Sequence, residues 1–585
     1  MEPPNLWAGV PTPQAFFAIA IAGVLSHRFY FIRGEKHMKA PVYAISWVFI
    51  STCIVFAGYI INAWNRRHTT NSVIASPVGT CILINVAFFT PLFISMLIYR
   101  TFEHALREFP GPRLAAVSKL WHFYHMLVTE NHLLLEDIRN EYGPFVRTGP
   151  QELTVFHPDI LDAISKHGTT CIKAPAYDML HPFSSLNSIR TKLGYQTRRK
   201  RWDEAFGFAP SHVPDKEGRI QYFASLLVNR IFASAGEPIN VTTWAYHFAF
   251  DIILDISFKH SSDLTKNLQP ATKLHDLPAL ISHGVSMLRY FTPAPWMGRL
   301  CVEAAPYIPM IPQNWNRALN WAAEMCDKRI ERSNDVMDTG IGEPADAFSR
   351  FIFFARRDQD DDLLNRLALY GDASVIIAAG SHTTAATLTM LIYELSQSQQ
   401  LQAAAREEVI GILATSTMGR DETIKEKIDI STWSNFPFLN GCINEVLRLY
   451  PPIVSGGIRQ TVDKPIMVGG RWIPPDTIIV APRWSIGRLE SAYERPNEFI
   501  PERWTTKPEM VKNANAFSPF AKGRHICPGK QLGLLEVRMA AAMILVNFKF
   551  RLAATKRNQT RVIDDMQDGF TASLGDLEII FKPIN

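Results

Sequence analysis

The stretch Phe520-Ala-Lys-Gly-Arg-His-Ile-Cys-Pro-Gly529 lies near the C-terminus of a chain of 585 residues. It contains one cysteine, Cys527, with glycines on both sides and basic residues just before it. A thiolate in such a loop is suited to ligate a haem iron. Thiolate ligation is typical of enzymes that activate oxygen, not of oxygen carriers.

The remaining cysteines suggest no metal site or disulfide framework. The chain has seven cysteines, an odd number, which are widely spaced and form no CxxC pair. We interpret the other six as buried apolar thiols and expect a reducing compartment for the main domain. The net charge of +5 is too small to predict nucleic-acid binding.

Three apolar stretches precede the main domain. Residues 41–61 and 73–99 contain no charged side chain, and each stretch is long enough to span a bilayer. Residues 15–32 are interrupted by His27 and Arg28. This first stretch could span the membrane, lie in its interface or pack on the other two, so the sequence predicts two or three transmembrane helices.

The distribution of basic residues predicts the orientation of the anchor. Lys and Arg are more frequent after the first and third stretches than in the loop that contains Arg66 and Arg67. We therefore expect a multi-pass protein of the endoplasmic reticulum with its main domain in the cytosol. We divide the chain into an anchor at 1–105, a proline-rich hinge at 106–113 and a main domain at 114–585.

A long helix is predicted over residues 363–397 and is apolar on nearly all sides, so we expect it to run through a core. Gly380 costs about 1 kcal/mol relative to alanine in a helix interior. The polar residues His382 and Thr383 beside it are costly in apolar surroundings unless they are satisfied. Two explanations stay open: a cofactor or ligand against the helix, or a kink with threonines bonded back to their own carbonyls.

Four motifs together resemble the cytochrome P-450 family in their order and spacing. Residues 379–384 are similar to its oxygen-activation helix, and Glu445-x-x-Arg448, which alone would be an ordinary surface ion pair, follows at the family's distance. Residues 499–504 resemble its PERF-type segment, and residues 520–529 resemble its haem-binding loop. The resemblance implies a mainly α fold with small β-sheets for the whole chain after the anchor.

The resemblance also implies the cofactor and its binding residues. The cofactor is haem b, with Cys527 as the axial thiolate, and the main domain becomes a haem-binding catalytic domain. The further cofactor-binding residues that it implies are Tyr195, Arg199, Arg459, Phe520, Gly523, His525 and Gly529. For Tyr195 and Arg199 the alternative is a solvated basic helix. The implied structural ion network consists of Glu445, Arg448 and Arg503.

His382 is the main departure from the family, which usually has an acid directly before the threonine. The resemblance implies that the acid and Thr383 help to deliver protons during oxygen activation, so both His382 and Thr383 are candidate catalytic residues. A histidine can relay protons, since its unperturbed pKa is about 6.5. It cannot act as a permanent carboxylate.

The implied function is insertion of one oxygen atom from O₂ into a lipophilic substrate. The loop sequence resembles filamentous-fungal members, and the multi-span anchor resembles hydroxylases of secondary metabolism such as those of indole alkaloid pathways. One alternative is a haem-thiolate isomerase, dehydratase or oxidative cyclase without net oxygen insertion. A remote alternative is a non-enzymatic membrane haem sensor.

Electrons are expected from a separate NADPH–cytochrome reductase on the same membrane, with cytochrome b5 as a further candidate donor, because the chain has no GxGxxG fingerprint. Residues 198–201, with Lys522, Arg524 and Lys530, could form a basic docking patch. The alternative is that Arg199 and Arg524 face haem propionates. By family analogy, residues 453–457 and 570–574 line the substrate pocket, and the aromatic-rich segment 286–296 touches the membrane or an access channel.

Overall fold

The computed structural model describes residues 11–64, 76–207, 213–266, 281, 284, 286, 289–304, 313–339, 346–359, 361–417, 435–554 and 559–584. The expected lumenal loop at Arg66 and Arg67 lies outside the described residues, and so does part of the segment 286–296.

Helices form most of the described chain. Their bounds, numbered in chain order, are α1 Pro13–Ser26, α2 Ala40–Trp64, α3 Pro77–Ile98, α4 Arg113–Val117, α5 Leu120–Met126, α6 Asn131–Tyr142, α7 Ile160–Ala163, α8 Lys192–Phe206, α9 Val213–Ala233, α10 Val241–Phe258, α11 Pro295–Ala304, α12 Gln313–Thr339, α13 Ala347–Arg357, α14 Asp361–Leu364, α15 Arg366–Gln397, α16 Gln399–Thr417, α17 Pro437–Leu449, α18 Arg483–Ile486, α19 Lys530–Asn547 and α20 Arg561–Asp564.

The strands are short and form small sheets. Their bounds are β1 Phe145–Gly149, β2 Glu152–Val155, β3 Ile172–Lys173, β4 Pro238–Asn240, β5 Arg459–Gln460, β6 Ile466–Val468, β7 Arg471–Ile473, β8 Ile478–Val480, β9 Phe548–Leu552, β10 Gln567–Asp568, β11 Ala572–Ser573 and β12 Glu578–Pro583. One sheet has the order β1-β2-β8-β5-β3 and another β4-β12-β9, while β6-β7 and β10-β11 are two-stranded. The predicted mainly α fold with small sheets is confirmed.

The first apolar stretch packs on the third. A Cβ on Gly23 of α1 would lie 2.2 Å from the carbonyl oxygen of Phe88 on α3, and His27 Nδ1 lies 2.8 Å from Ser95 Oγ. Residue numbers increase together along these contacts, so α1 and α3 run parallel. By length and composition the helices around α1, α2 and α3 could each cross a membrane.

A fourth helix, α15, is also long and apolar enough to span a membrane, but 72% of its apolar window is buried inside the protein. It begins at Arg366, three residues later than the sequence predicts, because the Asn365 side chain accepts a hydrogen bond from the Leu367 N–H at 3.0 Å and caps it. The helices α10, α12 and α19 pack around it. It is therefore the core helix that the sequence predicts.

An ion cluster joins the anchor to the main domain. The Arg190 guanidinium donates to both carboxylate oxygens of Glu35, at 2.5 and 2.6 Å, and to Asp178 at 2.6 Å. His37 Nε2 lies 3.0 Å from the same Asp178 carboxylate. Glu35 and His37 belong to the segment between α1 and α2, so this segment is bound to the body of the protein.

Candidate active site

The loop around Cys527 is shaped by local backbone geometry. Gly523 has φ +60°, and a Cβ there would lie 2.2 Å from the carbonyl oxygen of Ser165, so only glycine fits. The Cys527 N–H donates to the Phe520 carbonyl at 2.9 Å. Helix α19 begins three residues later at Lys530. Cys527 thus precedes a helix N-terminus, where a thiolate is favoured.

The environment of the Cys527 sulfur contains opposing effects. Solvent reaches the residue, yet the protein packed around it raises the pKa of the thiol. The backbone N–H groups of Gly529 and Lys530 and the charge of Arg199 lower that pKa. A Cβ on Gly529 would lie 3.9 Å from Sγ. These donors are placed to stabilise a thiolate once a metal ion binds it.

Buried cations lie together beside this loop. Lys173 in β3 stands directly opposite Arg459 in β5, and both are buried. Burial and the charge of Arg459 lower the pKa of Arg483 to about 10. Within the described residues, none of these three cations forms an ion pair with an acidic side chain. Like charges opposite each other destabilise a sheet, so this arrangement favours an anionic ligand.

Several buried polar atoms in the same region have no hydrogen-bond partner among the residues described, namely Arg459 Nε, Arg483 Nη1 and His525 Nδ1. Burial and the charges of neighbouring cations lower the pKa of His525 to about 2, so its ring is neutral. A thiol together with buried, unsatisfied cations fits haem b, which offers an iron atom and two propionates. The residues present therefore fit the implied cofactor.

Lys173 and Arg483 were missed by the sequence reasoning. Each stands in an otherwise apolar run, Cys-Ile-Lys-Ala-Pro for Lys173 and Val-Ala-Pro-Arg-Trp for Arg483. A lone cation in such a run is unusual, because Lys and Arg are almost never fully buried unless they are paired. An isolated basic residue in an apolar run was therefore the sequence signal that could have identified both residues.

Tyr195 and Arg199 of α8 hold the backbone of the loop around Cys527. The Tyr195 hydroxyl donates to the Arg524 carbonyl at 2.9 Å. Arg199 donates to the Ile526 carbonyl and, through Nε, to Asp203 at 2.8 Å. Both side chains thus reach the predicted region but bind its main chain.

The basic run in α8 is less available for docking than the sequence predicts. Arg198 is buried and donates to Asp372 at 2.7 Å, and Arg201 is buried and paired with Glu204 and Asp358. A surface cleft of about 650 Å³ separates α8 from the candidate haem loop, residues 520–529. It is lined by Tyr195, Gln196, Arg199, Lys200, Asp203, Glu204, Gly523, Arg524 and Ile526.

Glu445, Arg448 and Arg503 meet in one buried network. The Glu445 carboxylate accepts five hydrogen bonds: from Arg448 Nη2 at 2.6 Å and Nε at 2.9 Å, Arg503 Nε at 2.8 Å, Trp504 Nε1 at 2.8 Å and the Ile500 N–H at 3.0 Å. The side chains of all three charged residues are 0% exposed. The two guanidinium groups also donate to the carbonyls of Gly487, Glu494, Arg495, Pro496 and Glu498.

Thr383 and His382 face different surroundings on α15. The Thr383 hydroxyl donates to the Ala379 carbonyl at 2.8 Å. It is thus bonded back to its own helix, which is one of the two explanations that the sequence left open. Ala379 is exposed and Thr383 is half-buried, so this face borders accessible space within the core. His382 is buried, with Nδ1 2.5 Å from the Tyr246 hydroxyl. Burial lowers the pKa of His382 to about 3, so its ring is neutral.

Residues 453–457 and 570–574, the two segments expected to line the substrate pocket, lie next to each other. The Ala572 N–H donates to the Pro452 carbonyl at 2.8 Å, and the Ser455 hydroxyl donates to Asp568. Ser286 Oγ lies 3.2 Å from Ser573 Oγ, which brings part of the third segment to the same place.

Comparison with known proteins identifies the family of this chain. The family model for Cytochrome P450 matches residues 110–571, and the chain belongs to this family. It is 30% identical to the cytochrome P450 monooxygenase notG' of Aspergillus versicolor, over 97% of each chain. It is also 30% identical to tryprostatin B 6-hydroxylase of Aspergillus fumigatus, over 96% of this chain and 95% of the relative. The protein is thus an oxidoreductase of the monooxygenase type.

Proposed function

We propose that Cys527 would hold the iron of haem b as a thiolate and that Arg459, Arg483, Lys173 and His525 would bind its propionates. The observation that carries this proposal is the set of buried cations without an acidic partner, beside a thiol at a helix N-terminus. When bound, haem supplies the activation of dioxygen, which electron donation from a thiolate favours. Phe520, Gly523 and Gly529 shape the loop that holds the sulfur, and Tyr195 and Arg199 fix that loop from α8.

Thr383 is the residue we assign to proton delivery. Its hydroxyl sits on the accessible face of α15 and is oriented by its bond to the Ala379 carbonyl. Thr383→Ala removes the hydroxyl, so more NADPH should be consumed for each molecule of product. Thr387→Ala is the control, because its hydroxyl makes the same type of bond one turn further on, to the Thr383 carbonyl at 2.8 Å. If Thr383→Ala consumes no more NADPH per molecule of product than the wild type does, this role for Thr383 is contradicted.

We propose a lipophilic substrate of fungal secondary metabolism and a hydroxylation or related oxidation. The relatives' printed names support this class, including a 6-hydroxylase of tryprostatin B. The test is mass spectrometry of the product after turnover under ¹⁸O₂. Retention of one labelled oxygen atom is the expected outcome.

The second candidate is an isomerase, dehydratase or oxidative cyclase without net oxygen insertion. One observation favours it: a neutral His382 stands where the family usually has an acid. An unlabelled product under ¹⁸O₂ would select this candidate.

We infer that a separate NADPH–cytochrome reductase, with cytochrome b5 as a possible second donor, docks over the cleft between α8 and the haem loop. Lys200 and Arg524 supply positive charge there, although Asp203 and Glu204 reduce it. Opposite charges accelerate such encounters in a salt-dependent way. The rate of haem reduction should fall as ionic strength rises. A salt-independent rate would contradict docking by charge.

We propose that the chain is a multi-pass protein of the endoplasmic reticulum with an anchor at 1–105, a hinge at 106–113 and a catalytic domain at 114–585. The parallel packing of α1 and α3 supports three spans, since both helices then end on the side of the main domain. Glycosylation acceptor sites inserted near Arg66 should be modified in microsomes, whereas sites added at the C-terminus should not. The reverse pattern would invert the proposed topology.

A further inference from the structure

Tyr246 and His382 are brought together by a close contact between α10 and α15. A Cβ on Gly380 would lie 2.5 Å from Ile253 Cγ1 and 2.6 Å from Cδ1, so this glycine permits the approach. The Tyr246 hydroxyl lies 2.5 Å from His382 Nδ1, and the two rings meet edge to face with centroids 4.8 Å apart. Backbone packing therefore fixes the pair.

The surroundings of His382 keep its ring neutral. The residue is 1% exposed, and burial alone lowers its pKa to about 3. The Thr571 hydroxyl lies 3.4 Å from Nδ1, whereas Nε2 has no hydrogen-bond partner in the described part of the chain. A neutral imidazole carries one proton, on either Nδ1 or Nε2.

The contact with Tyr246 selects between these two forms. A phenol with an ordinary pKa near 10 is a good hydrogen-bond donor. When its O–H donates to Nδ1, that nitrogen acts as the acceptor and the ring proton must reside on Nε2. The partner of one imidazole nitrogen thus sets the state of the other.

We propose that Tyr246 is a positioning residue that holds His382, the residue before Thr383 in the chain, as a neutral imidazole with its proton on Nε2. This inference rests on the proposed function and deepens it. Position 382 then offers an N–H donor where the family usually has a carboxylate acceptor.

The test is a measurement of the His382 tautomer by ¹⁵N chemical shifts in the full-length protein with ¹⁵N-labelled histidine. The ferrous CO complex is used because it is diamagnetic, and His382→Gln assigns the signals. Wild-type protein should show the Nε2–H form. Tyr246→Phe removes one hydrogen bond and should shift the tautomer ratio roughly tenfold toward Nδ1–H.

Tyr370→Phe is the matched control. It also removes a hydrogen-bonded phenol, here one on the core helix α15 itself, because the Tyr370 hydroxyl donates to Asp327 at 2.9 Å. It should leave the His382 shifts unchanged. An Nδ1–H form in the wild type, or an unchanged ratio in Tyr246→Phe, would overturn the proposal. If Tyr246→Phe does not fold, the wild-type spectrum decides alone. The CO absorption band of the same samples reports separately whether the haem-thiolate assignment holds.

Discussion

The network around Glu445 and the pair of His382 with Tyr246 are both buried polar sites. They differ in how many of their polar atoms have hydrogen-bond partners. Glu445 accepts five hydrogen bonds, and the two arginines beside it donate their remaining protons to backbone carbonyls. His382 is bonded through Nδ1 alone, within the described residues. A fully satisfied network fixes structure, whereas a half-satisfied ring keeps a hydrogen-bonding site for chemistry. The following changes test this contrast.

Glu445→Gln should have the largest effect, because it leaves two buried guanidinium groups without their carboxylate. We expect a loss of about 3–5 kcal/mol in the free energy of unfolding and little haem retained, measured by chemical denaturation and haem content. Glu498→Gln is the control, because Glu498 forms an exposed pair with Arg495 in the same region and should show no measurable change. Equal stability of both variants would contradict a structural role for Glu445.

Glu394 is a buried acid next to the Glu445 network, but it has fewer hydrogen-bond donors than Glu445. Burial raises its pKa to about 7, although the Tyr450 hydroxyl donates to it at 2.7 Å. The folded state therefore holds a proton that the unfolded state releases above pH 4.5. The free energy of unfolding should fall by roughly 3 kcal/mol between pH 4.5 and 7 because of this group. Glu394→Gln should flatten that decrease, and an unchanged pH profile would argue against the raised pKa.

Lys173→Met should affect the protein with and without haem in opposite directions. It removes a buried amine whose pKa is held well below its usual value by burial and by the charge of Arg459, so the haem-free chain should gain roughly 1 kcal/mol. The same change should accelerate haem release, because a cation near the propionates is lost. Lys200→Met, in the surface cleft, is the control. A variant that is destabilised in both states would indicate that Lys173 is needed for folding alone.

Arg190→Gln should have the smallest effect. It breaks the cluster that joins Glu35 of the anchor segment to Asp178, and partly exposed pairs contribute about 1 kcal/mol or less. Limited proteolysis should detect faster cleavage between α1 and α2, with little change in the unfolding of the main domain. A large loss of haem content would show that the anchor supports the catalytic domain more strongly than these contacts suggest.

Much of the fold follows from order and pattern in the sequence. The apolar run of α15 and the two clean anchor stretches have lengths and compositions that few other structures accommodate. Glu445 and Arg448 lie on one helical turn, which their spacing already predicts, whereas Arg503 comes from a distant segment and needed the family resemblance.

The remaining features depend on long-range packing that no local pattern encodes. Gly380 is required because Ile253 of α10 packs against it, and Tyr246 reaches His382 from the same helix. Lys173 and Arg459 become neighbours only through the pairing of β3 with β5. The sequence of α8 predicts a solvated basic helix, but Arg198 and Arg201 are buried and paired with acidic residues from other segments.

The reduced CO difference spectrum of the full-length protein tests most directly whether Cys527 ligates the haem. We predict the long-wavelength band of a thiolate-ligated carbonyl complex in wild-type protein and in Cys442→Ser, which changes a buried thiol on α17. The band should be lost in Cys527→Ser with haem still bound. Its absence from haem-loaded wild-type protein, or its persistence in Cys527→Ser, would contradict the account.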